Sequence, residues 1–267
     1  MGFFDNDLLN AFRLVHGEGD GLPGLIIDYY NEVAVVQCHS VGMFKDKDKI
    51  AQALLHAMPG KVKAIYDKSH HSLNLKEYAD YEGSFLYGSS GPVEVLEYDH
   101  RFEIDFVEGQ KTGFFIDQRE NRKLLGDYSE GKKVLNAFCY TGGFSVFAAA
   151  RGAKEVISVD VSEKAIQQTE KNLMMNHFPG TRVENIAEDV FKYLDGMDGS
   201  FDTIVLDPPA FAKHQNALAN ALKGYRRLNE KAFAKIKKGG ILFTFSCSQV
   251  VSKDDFRTSI FSAAAAS

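Results

Sequence analysis

The sequence predicts an α/β fold in which a doubly wound parallel sheet over residues 101–267 follows a small α+β domain over residues 1–100. Three observations support this prediction. Beyond residue 130, short apolar runs alternate with helix-length segments, as in parallel sheets with crossover helices. A glycine turn joins the first of these runs to its helix. Acidic or thiol side chains follow the ends of the later runs.

Composition narrows the classes of function. The chain has 267 residues, which suffice for one large or two modest domains with full cores. Its net charge of −5 argues against a generally basic nucleic-acid binder, so an RNA contact would need a local patch or a missing module. Cys38, Cys139 and Cys247 form no C-x-x-C pair and leave one cysteine over, which favours a reducing cytoplasm. No apolar run approaches the roughly 18 residues of a membrane span, so we expect no membrane association.

The first domain is predicted to contain both hairpins and a helix. Its elements are a first hairpin, a helix, a strand and a second hairpin, at residues 25–30 with 33–39, 45–58, 63–67 and 92–106. A D-G-L-P-G turn precedes the first hairpin, and alternation on both sides of Asp99-His100 indicates the second. We expect the second hairpin to bridge the two domains.

The adjacent histidines His70 and His71 raise the question of a metal site. No cysteine or third histidine stands at ligand spacing from this pair. An exposed loop is therefore favoured, and no metal is expected.

A helix start is predicted just before the parallel sheet. Asp117 and Glu120 have the D-x-x-E spacing of a helix N-terminus, and Lys111 and Thr112 precede them. A lysine beside a helix start suits a carboxylate such as that of a methionine moiety. A capped surface loop explains the same residues equally well, and both interpretations stay open.

Residues 133–160 read as strand, glycine turn, helix and strand. Gly142 and Gly143 stand where the first strand passes into the helix, and the missing Cβ lets backbone N–H groups approach a ligand. Asp160 follows Gly143 by 17 residues, near the roughly 20 expected for an acid that binds a ribose hydroxyl. This spacing favours a nucleoside site over glycines that only turn the chain. The turn lacks G-x-G-x-x-G, which argues against NAD.

Strand and helix continue to alternate after Asp160. Ser162 is predicted to cap a helix that ends near residue 176, and a long helix is predicted to end near residue 237. The remaining strands are predicted at residues 182–187, 201–206 and 241–245. Because ligands of open α/β sheets bind outside the carboxyl ends of the strands, we expect Asp160, Asp189, Asp207 and Cys247 to meet at one crevice.

The most specific stretch is Asp207-Pro208-Pro209-Ala210-Phe211. Two prolines directly after a buried strand end its ladder and fix the backbone, which would direct carbonyl groups and the Asp207 carboxylate into the crevice. A planar base with an amino group would suit this edge, with the Phe211 ring available for stacking. A proline-rich strand exit with a capping aspartate is the plainer alternative.

The second candidate is Cys247. A cysteine at a strand end is more often a small buried hydrophobe than a nucleophile. Here it stands between Ser246 and Ser248 and ends a central strand that faces the same crevice as Asp207. Cys139 is interpreted as pocket lining.

Together these residues resemble the class I S-adenosylmethionine-dependent methyltransferases, and more closely the bacterial 23S ribosomal RNA cytosine-5 methyltransferases that have an N-terminal PUA domain. The resemblance runs from about residue 12 to residue 262. It rests on FRLVHGEGDGLPGLIID, GQKTGFFIDQREN, VLNAFCYTGGFSVFAA, ISVDVS, DVF, DPPAF and SCS. It implies a Rossmann-like sheet, S-adenosyl-L-methionine as cofactor and large-subunit ribosomal RNA as partner, and leaves a homodimer open.

The resemblance also implies roles for individual residues. The loop that ends at Gly143 would hold the methionine part, Asp160 the ribose, and Asp189 with Val190 the adenine edge. Asp207 would hold the target cytosine, and Cys247 would attack it. The candidate cofactor residues are Lys111, Thr112, Asn136, Phe138, Tyr140, Thr141, Gly142, Gly143, Asp160, Val161, Asp189, Val190, Asp207 and Pro208. The candidate substrate residues are Pro209, Phe211, Lys213, Arg226 and Arg227.

Two departures from the family pattern lead to further expectations. In the family pattern a PUA domain precedes the stretch that begins at residue 12, and we expect this chain to lack it; the last residues, AAAAS, fall within the helix expected after the fifth strand. We therefore expect a sheet that lacks its last two strands.

A cytosine-5 reaction competes with other functions. Cytosine C5 is too poor a nucleophile to accept a methyl group unless a group such as a thiolate first adds to C6. Cys247 would otherwise be idle, which favours this reaction over transfer to an amino nitrogen, for which D-P-P followed directly by an aromatic residue is typical and Ala210 is a departure. Related enzymes often have a second cysteine where Pro208 stands, so the base that removes the C5 proton is open. A nucleotide-binding or RNA-binding module without turnover is the alternative from another class.

A local cluster of positive charge follows the D-P-P-A-F stretch. Its cations, set against the single acid Glu230, are Lys213, Lys223, Arg226, Arg227, Lys231, Lys235, Lys237 and Lys238. We expect Lys213 and the cations from Lys223 to Arg227 to follow RNA phosphates. The later lysines are interpreted as the solvated face of the long helix.

Overall fold

The protein, seen here in a computed structural model, is described over residues 6–73, 80–197 and 200–267. It folds into two compact units, Met1–Arg119 and Glu120–Ser267. The hairpin that we expected to bridge the domains belongs to the first unit. The boundary between functional domains that the sequence predicts after residue 100 stays a prediction.

The first unit is built on a five-stranded sheet and a separate hairpin. The sheet strands, in their spatial order, are β1 (Ala11–His16), β2 (Leu25–Tyr30), β3 (Val33–Cys38), β4 (Ala64–Asp67) and β5 (Ser84–Tyr87). Neighbours pair antiparallel except β3 and β4, which are parallel and are joined through α1 (Val41–Lys45) and α2 (Lys47–Ala57). The hairpin consists of β6 (Val93–Glu97) and β7 (His100–Ile104).

Both predicted hairpins are confirmed, and their turns show why they form. Asn31 and Glu32 have φ of 41° and 73°, and Tyr98 and Asp99 have φ of 52° and 67°. Two successive residues with positive φ make the two-residue turn whose twist matches that of paired strands. The helical segment begins earlier than predicted, because the Ser40 hydroxyl accepts a hydrogen bond from the amide of Met43 and caps α1.

The second unit is a parallel sheet with helices between its strands. Its strands are β8 (Lys133–Ala137), β9 (Glu155–Asp160), β10 (Arg182–Ala187), β11 (Phe201–Leu206) and β12 (Ile236–Thr244). Its helices are α3 (Arg119–Asp127), which begins at the end of the first unit, α4 (Gly143–Ala150), α5 (Glu163–Asn176), α6 (Val190–Gly196), α7 (Leu218–Phe233) and α8 (Lys253–Ala266). All strand pairs are parallel in the order β10-β9-β8-β11-β12. The predicted doubly wound sheet is confirmed, and its order reverses between β8 and β11.

Helices cover both faces of this sheet. Leu135 and Ile204 are fully buried on one face, in a cluster with Leu194 of α6 and Leu228 of α7. Side chains alternate along a strand, so Asn136 points to the opposite face, where its amide donates a hydrogen bond to Ser145 of α4 at 2.9 Å. The near-continuous apolar strands that predicted a parallel sheet are therefore buried from two sides.

Two local predictions were wrong. Helix α7 ends at Phe233 rather than near residue 237, because the chain turns and Ile236 already pairs with Phe201. Lys237 and Lys238 therefore lie on β12 rather than on a helix face. The helix start predicted beside Asp117 is present, because Asp117 lies in a short 3-10 turn that leads directly into α3.

Candidate functional site

The carboxyl ends of the parallel strands meet at one edge of the second sheet. The register pairs Ala137 of β8 with Val159 of β9 and Leu206 of β11, and Leu206 with Thr244 of β12. The amide of Glu188 then donates to the carbonyl of Asp160 at 2.9 Å, which extends the ladder beyond β10. The residues that follow these strand ends, including Asp160, Asp189, Asp207 and Cys247, therefore emerge along the same edge.

The loop between β8 and α4 is held by the carboxylate of Asp160. One oxygen of Asp160 accepts the amide N–H of Tyr140 at 3.0 Å, and the other accepts that of Ser162 at 3.0 Å. The loop adopts left-handed backbone at Phe138 (φ 61°), Tyr140 (φ 48°) and Gly142 (φ 76°). Such a conformation costs free energy in residues other than glycine, and it persists where the surroundings impose it.

Helix α5 supplies the second support for this loop, which the sequence analysis did not identify. The Thr169 hydroxyl lies 2.9 Å from the carbonyl oxygen of Tyr140, and the Asn172 amide donates to the carbonyl of Thr141 at 2.8 Å. Both side chains are fully buried. A Cβ at Gly142 would lie 2.6 Å from Thr169 Cγ2, so only glycine fits there. The available signal was a pair of polar residues, three apart, on the buried face of a predicted helix.

The residues at this end of β9 fit an adenosyl cofactor. A carboxylate offers about four acceptor sites, so Asp160 can accept ribose hydroxyls in addition to its two backbone amides. Val161 beside it exposes 74% of its surface, which leaves an apolar side chain available to a purine ring. The first turn of α4, with its unpaired N–H groups and positive end of the dipole, suits a carboxylate.

Three other candidate cofactor residues lie within the second unit and have structural roles there. Asn136 is fully buried, and its Oδ1 has no hydrogen-bond partner in the described part of the chain. Asp189 caps α6 by accepting the amide N–H of Lys192 at 2.9 Å. The Val190 side chain is buried in the core, so only its backbone is available to line a pocket. Their contacts with the cofactor stay predictions.

Lys111 and Thr112 belong to the first unit. The Lys111 ammonium lies 4.7 Å from the centre of the Phe115 ring. The Thr112 hydroxyl is buried and donates to Asp28 at 2.6 Å, and it lies 2.9 Å from the Tyr30 hydroxyl. A role for either residue at the cofactor stays a prediction.

The D-P-P-A-F stretch and the S-C-S stretch are linked directly. The exposed Cys247 thiol donates to the carbonyl oxygen of Pro208, with 3.7 Å between sulfur and oxygen. The amide of Ala212 donates to the Ser248 hydroxyl at 3.3 Å. The Phe211 ring packs on Tyr225 with a centroid distance of 4.6 Å, so that one of its faces is already covered.

The other two cysteines differ from Cys247 in their surroundings. Cys38 and Cys139 are buried, and burial raises the pKa of the Cys38 thiol to about 11 and that of the Cys139 thiol to about 12. Both therefore stay protonated and unreactive near neutral pH. Cys247 is the one exposed thiol of the three.

The candidate RNA-binding cations lie on and before α7. Lys213, Arg226 and Arg227 are all exposed. Arg226 pairs with Glu230 one turn later at 2.6 Å, and the Arg227 guanidinium lies 5.6 Å from the centre of the Phe191 ring. Both arginine side chains stay exposed to solvent despite these contacts.

Within the described ranges, no three histidine, cysteine, aspartate or glutamate side chains are grouped so that they could hold a metal ion. No helix among those described has the length and apolar character needed to cross a membrane.

Comparison with known proteins identifies the family of this chain. Residues 12–261 match the model of the S-adenosylmethionine-dependent methyltransferase family. The ribosomal RNA large subunit methyltransferase I of Tolumonas auensis is 40% identical over 262 residues, which cover 96% of this chain and 66% of that protein. The protein of the same name from Aeromonas hydrophila is 38% identical over 269 residues, covering 98% of this chain and 67% of that protein.

A solved structure gives the same fold. The crystal structure of SMU.776, a presumed methyltransferase complexed with SAH, superposes with a TM-score of 0.86 at 25% identity, over 98% of this chain and 68% of that one. The chain spans about two thirds of the length of the curated relatives that it matches. The family match over most of the chain and the identity with these relatives agree with the parallel sheet: the chain belongs to the S-adenosylmethionine-dependent methyltransferases.

Proposed function

We propose that this chain forms the cofactor-binding and catalytic part of an enzyme that methylates C5 of a cytosine in large-subunit ribosomal RNA, with Cys247 as nucleophile. The observation that supports it most is the position of the exposed Cys247 thiol, 3.7 Å from the carbonyl oxygen of Pro208 in the D-P-P loop. The ribosomal RNA substrate is proposed from the names of relatives that are about 40% identical.

The cofactor would lie on the loop that Asp160 and α5 hold in place. When bound, S-adenosylmethionine supplies an electrophilic methyl group. Asp160 would accept the ribose hydroxyls, Val161 would contact the purine, and the first turn of α4 would receive the methionine carboxylate. Because Thr169 and Asn172 fix the loop carbonyls, its N–H groups are aligned before the cofactor arrives.

Cys247 would make C5 reactive. Its thiolate forms a bond to C6 of the cytosine, and the electron pair of the C5–C6 double bond becomes available at C5 for the methyl group. That pair forms the bond to the methyl group, with S-adenosylhomocysteine as the leaving group. When a base removes the C5 proton, the electron pair of the C5–H bond re-forms the double bond, and the C6–sulfur bond breaks to release the thiolate. Asp207 would hold the base during these steps.

The RNA would be held by exposed cations and by the D-P-P-A-F loop. Lys213, Arg226 and Arg227 would contact phosphates, while Pro209 is exposed beside the proposed base site. The small domain at the start of the chain would assist RNA recognition.

Transfer to an amino nitrogen is the second candidate, and the D-P-P loop favours it. Carbonyl groups fixed by successive prolines can orient an amino group, and this reaction needs no covalent bond to the enzyme. Ala210 stands where an aromatic residue is typical. The Cys247 thiol beside the Pro208 carbonyl has no use in that reaction. We therefore favour methylation at C5.

The test is covalent capture on RNA that contains 5-fluorocytidine. Fluorine at C5 cannot leave as a proton does, so the C6–sulfur bond persists after methyl transfer. We expect a denaturation-resistant protein–RNA complex that requires S-adenosylmethionine, is lost in Cys247→Ala, and is retained in Cys38→Ala and Cys139→Ala. Cys247→Ala should still bind S-adenosylhomocysteine. Methylation by Cys247→Ala at a rate comparable with the parent would instead support the amino-nitrogen reaction.

A further inference from the structure

The two stretches proposed to form the catalytic centre meet on one side chain of α7. Tyr225 is fully buried. The Ser246 hydroxyl donates to the Tyr225 hydroxyl at 2.9 Å, and the Tyr225 and Ser248 hydroxyls lie 2.9 Å apart. Cys247 is the residue between these two serines. The Tyr225 hydroxyl therefore contacts both flanks of the proposed nucleophile.

The direction of these hydrogen bonds follows from the number of protons. The Tyr225 oxygen accepts from Ser246, and its own single proton is then available for Ser248. Ser248 Oγ also accepts the amide N–H of Ala212 at 3.3 Å, and the Ser248 amide donates to Ser246 Oγ at 3.3 Å. The resulting chain of hydrogen bonds connects the S-C-S stretch to the end of D-P-P-A-F through one phenol.

The ring of Tyr225 holds the D-P-P-A-F stretch in a second way. It packs on the Phe211 ring at 4.6 Å and on the Phe256 ring at 5.1 Å. A Cβ at Gly224 would come within 3.0 Å of the Phe211 ring, so the neighbouring glycine in α7 makes room for this packing. Glycine lowers the stability of a helix relative to alanine, and the close approach of Phe211 explains why glycine is nevertheless present inside α7.

The hydroxyl has a function that the ring alone would not need. A phenylalanine would pack against Phe211 and Phe256 with the same shape and would avoid burying a polar group. In the described part of the chain, the hydrogen bonds of this hydroxyl go to Ser246 and Ser248. Its effect is thus concentrated on the short segment that presents the Cys247 thiol to the Pro208 carbonyl.

We propose that Tyr225 is a positioning residue that fixes the Cys247 thiol beside the D-P-P loop by clamping both flanking serines. The proposal rests on the proposed role of Cys247. A thiol that must reach C6 of a bound base depends on placement within a fraction of an ångström. Without the clamp, the S-C-S segment keeps its backbone connection to β12 and loses its attachment to α7.

The test compares Tyr225→Phe with the parent in two reactions of the same thiol. We expect kcat for RNA methylation, and the rate of capture on 5-fluorocytidine RNA, to fall at least tenfold, while the Kd for S-adenosylhomocysteine stays within twofold. Alkylation of Cys247 by iodoacetamide should become at least threefold faster, because the thiol leaves the Pro208 carbonyl and a small reagent needs no fixed orientation. Opposite changes in these two reactions identify positioning and exclude a general loss of structure.

The matched control is Tyr128→Phe, which removes the same hydroxyl from a residue that is 48% exposed and packs on Phe243. It should leave both rates unchanged. Ser248→Ala is the second variant and should reproduce the effect of Tyr225→Phe if the latter fails to fold. If the alkylation rate is unchanged in both Tyr225→Phe and Ser248→Ala, the proposed positioning role of Tyr225 is wrong, whichever atom of the RNA is methylated. Retained methylation in Cys247→Ala overturns the proposed function instead, and the alkylation rates then decide on Tyr225 alone.

Discussion

Asp160 holds the loop between β8 and α4 and is also the proposed ribose ligand. It accepts the amide N–H groups of Tyr140 and Ser162, and it would accept the ribose hydroxyls of the cofactor. A hydrogen bond to a charged group contributes about 1.5–3 kcal/mol. Asp160→Ala should therefore weaken S-adenosylhomocysteine binding by roughly one to two powers of ten, measured by calorimetric titration.

The control for this prediction is Asp195→Ala. Asp195 is an exposed carboxylate of α6 that pairs with Lys231, so its removal changes the net charge equally without touching the loop. An affinity for S-adenosylhomocysteine that is the same in Asp160→Ala and in Asp195→Ala would mean that the pocket has been assigned to the wrong place.

Some residues of the site could be predicted from the sequence, and others could not. The positions of Gly142 at the start of α4 and of Asp160 at the end of β9 were predictable because they follow from spacing within one strand–turn–helix–strand unit. Thr169 and Tyr225 were not, because their roles depend on contacts with residues 29 positions away and 21 to 23 positions away along the chain. The sequence shows only a buried helix face at both positions.

The same limit applies to whole elements. The bounds of β10 and β11 and the Ser162 cap of α5 agree with the prediction, since each depends on residues within its own short segment. Strand β5 was missed because it is a short edge strand whose residues are largely exposed, which leaves no alternation to detect. The start of β12 was missed because its register shifts around Gly239, which has a φ of 81°.

Helix α7 supports a prediction about RNA binding. If Arg226 and Arg227 each neutralise one phosphate, reversing both to Glu should weaken RNA binding and reduce the slope of log Kd against log salt by about 1.4–1.8. The exchange also places Glu beside Glu230 within the helix, which costs only a few tenths of a kcal/mol.

The comparison for α7 is the same charge reversal at Lys237 and Lys238. These exposed lysines lie on β12, at the opposite end from its carboxyl edge. Binding assays over a range of salt concentrations should show an unchanged slope for this variant. Equal slopes for the parent and the Arg226/Arg227 variant would show that the arginines form only a solvated face.

At the scale of the whole molecule, each unit has its own core and its own buried thiol. Cys38 lies in the cluster of Ile27, Val36 and Ile65 in the first unit. Cys139 lies in the loop between β8 and α4 of the second unit, with its sulfur 3.7 Å from the Thr169 hydroxyl. Both thiols must stay neutral for these cores to remain packed. The range of pH over which the protein stays folded therefore depends on both of them.

This arrangement predicts a loss of stability at alkaline pH. Burial raises the pKa of the Cys38 thiol to about 11 and that of the Cys139 thiol to about 12, from an ordinary value of 9.0. Above pH 9 the unfolded chain releases protons that the folded chain retains, so the free energy of unfolding falls as the pH rises. Urea titrations followed by circular dichroism should show this fall between pH 8 and 10, where the buried Tyr30, whose pKa is also raised by burial, adds a part of the slope that neither cysteine replacement removes. Cys38→Ala and Cys139→Ala should each make the free energy of unfolding depend less on pH, although each cavity lowers the stability at every pH.

A free energy of unfolding that is constant from pH 8 to 10 would contradict the prediction, and so would a slope that neither replacement changes. If the prediction holds, raising the pH to ionise the exposed Cys247 thiol can accelerate its chemistry only until the loss of folded protein outweighs the gain.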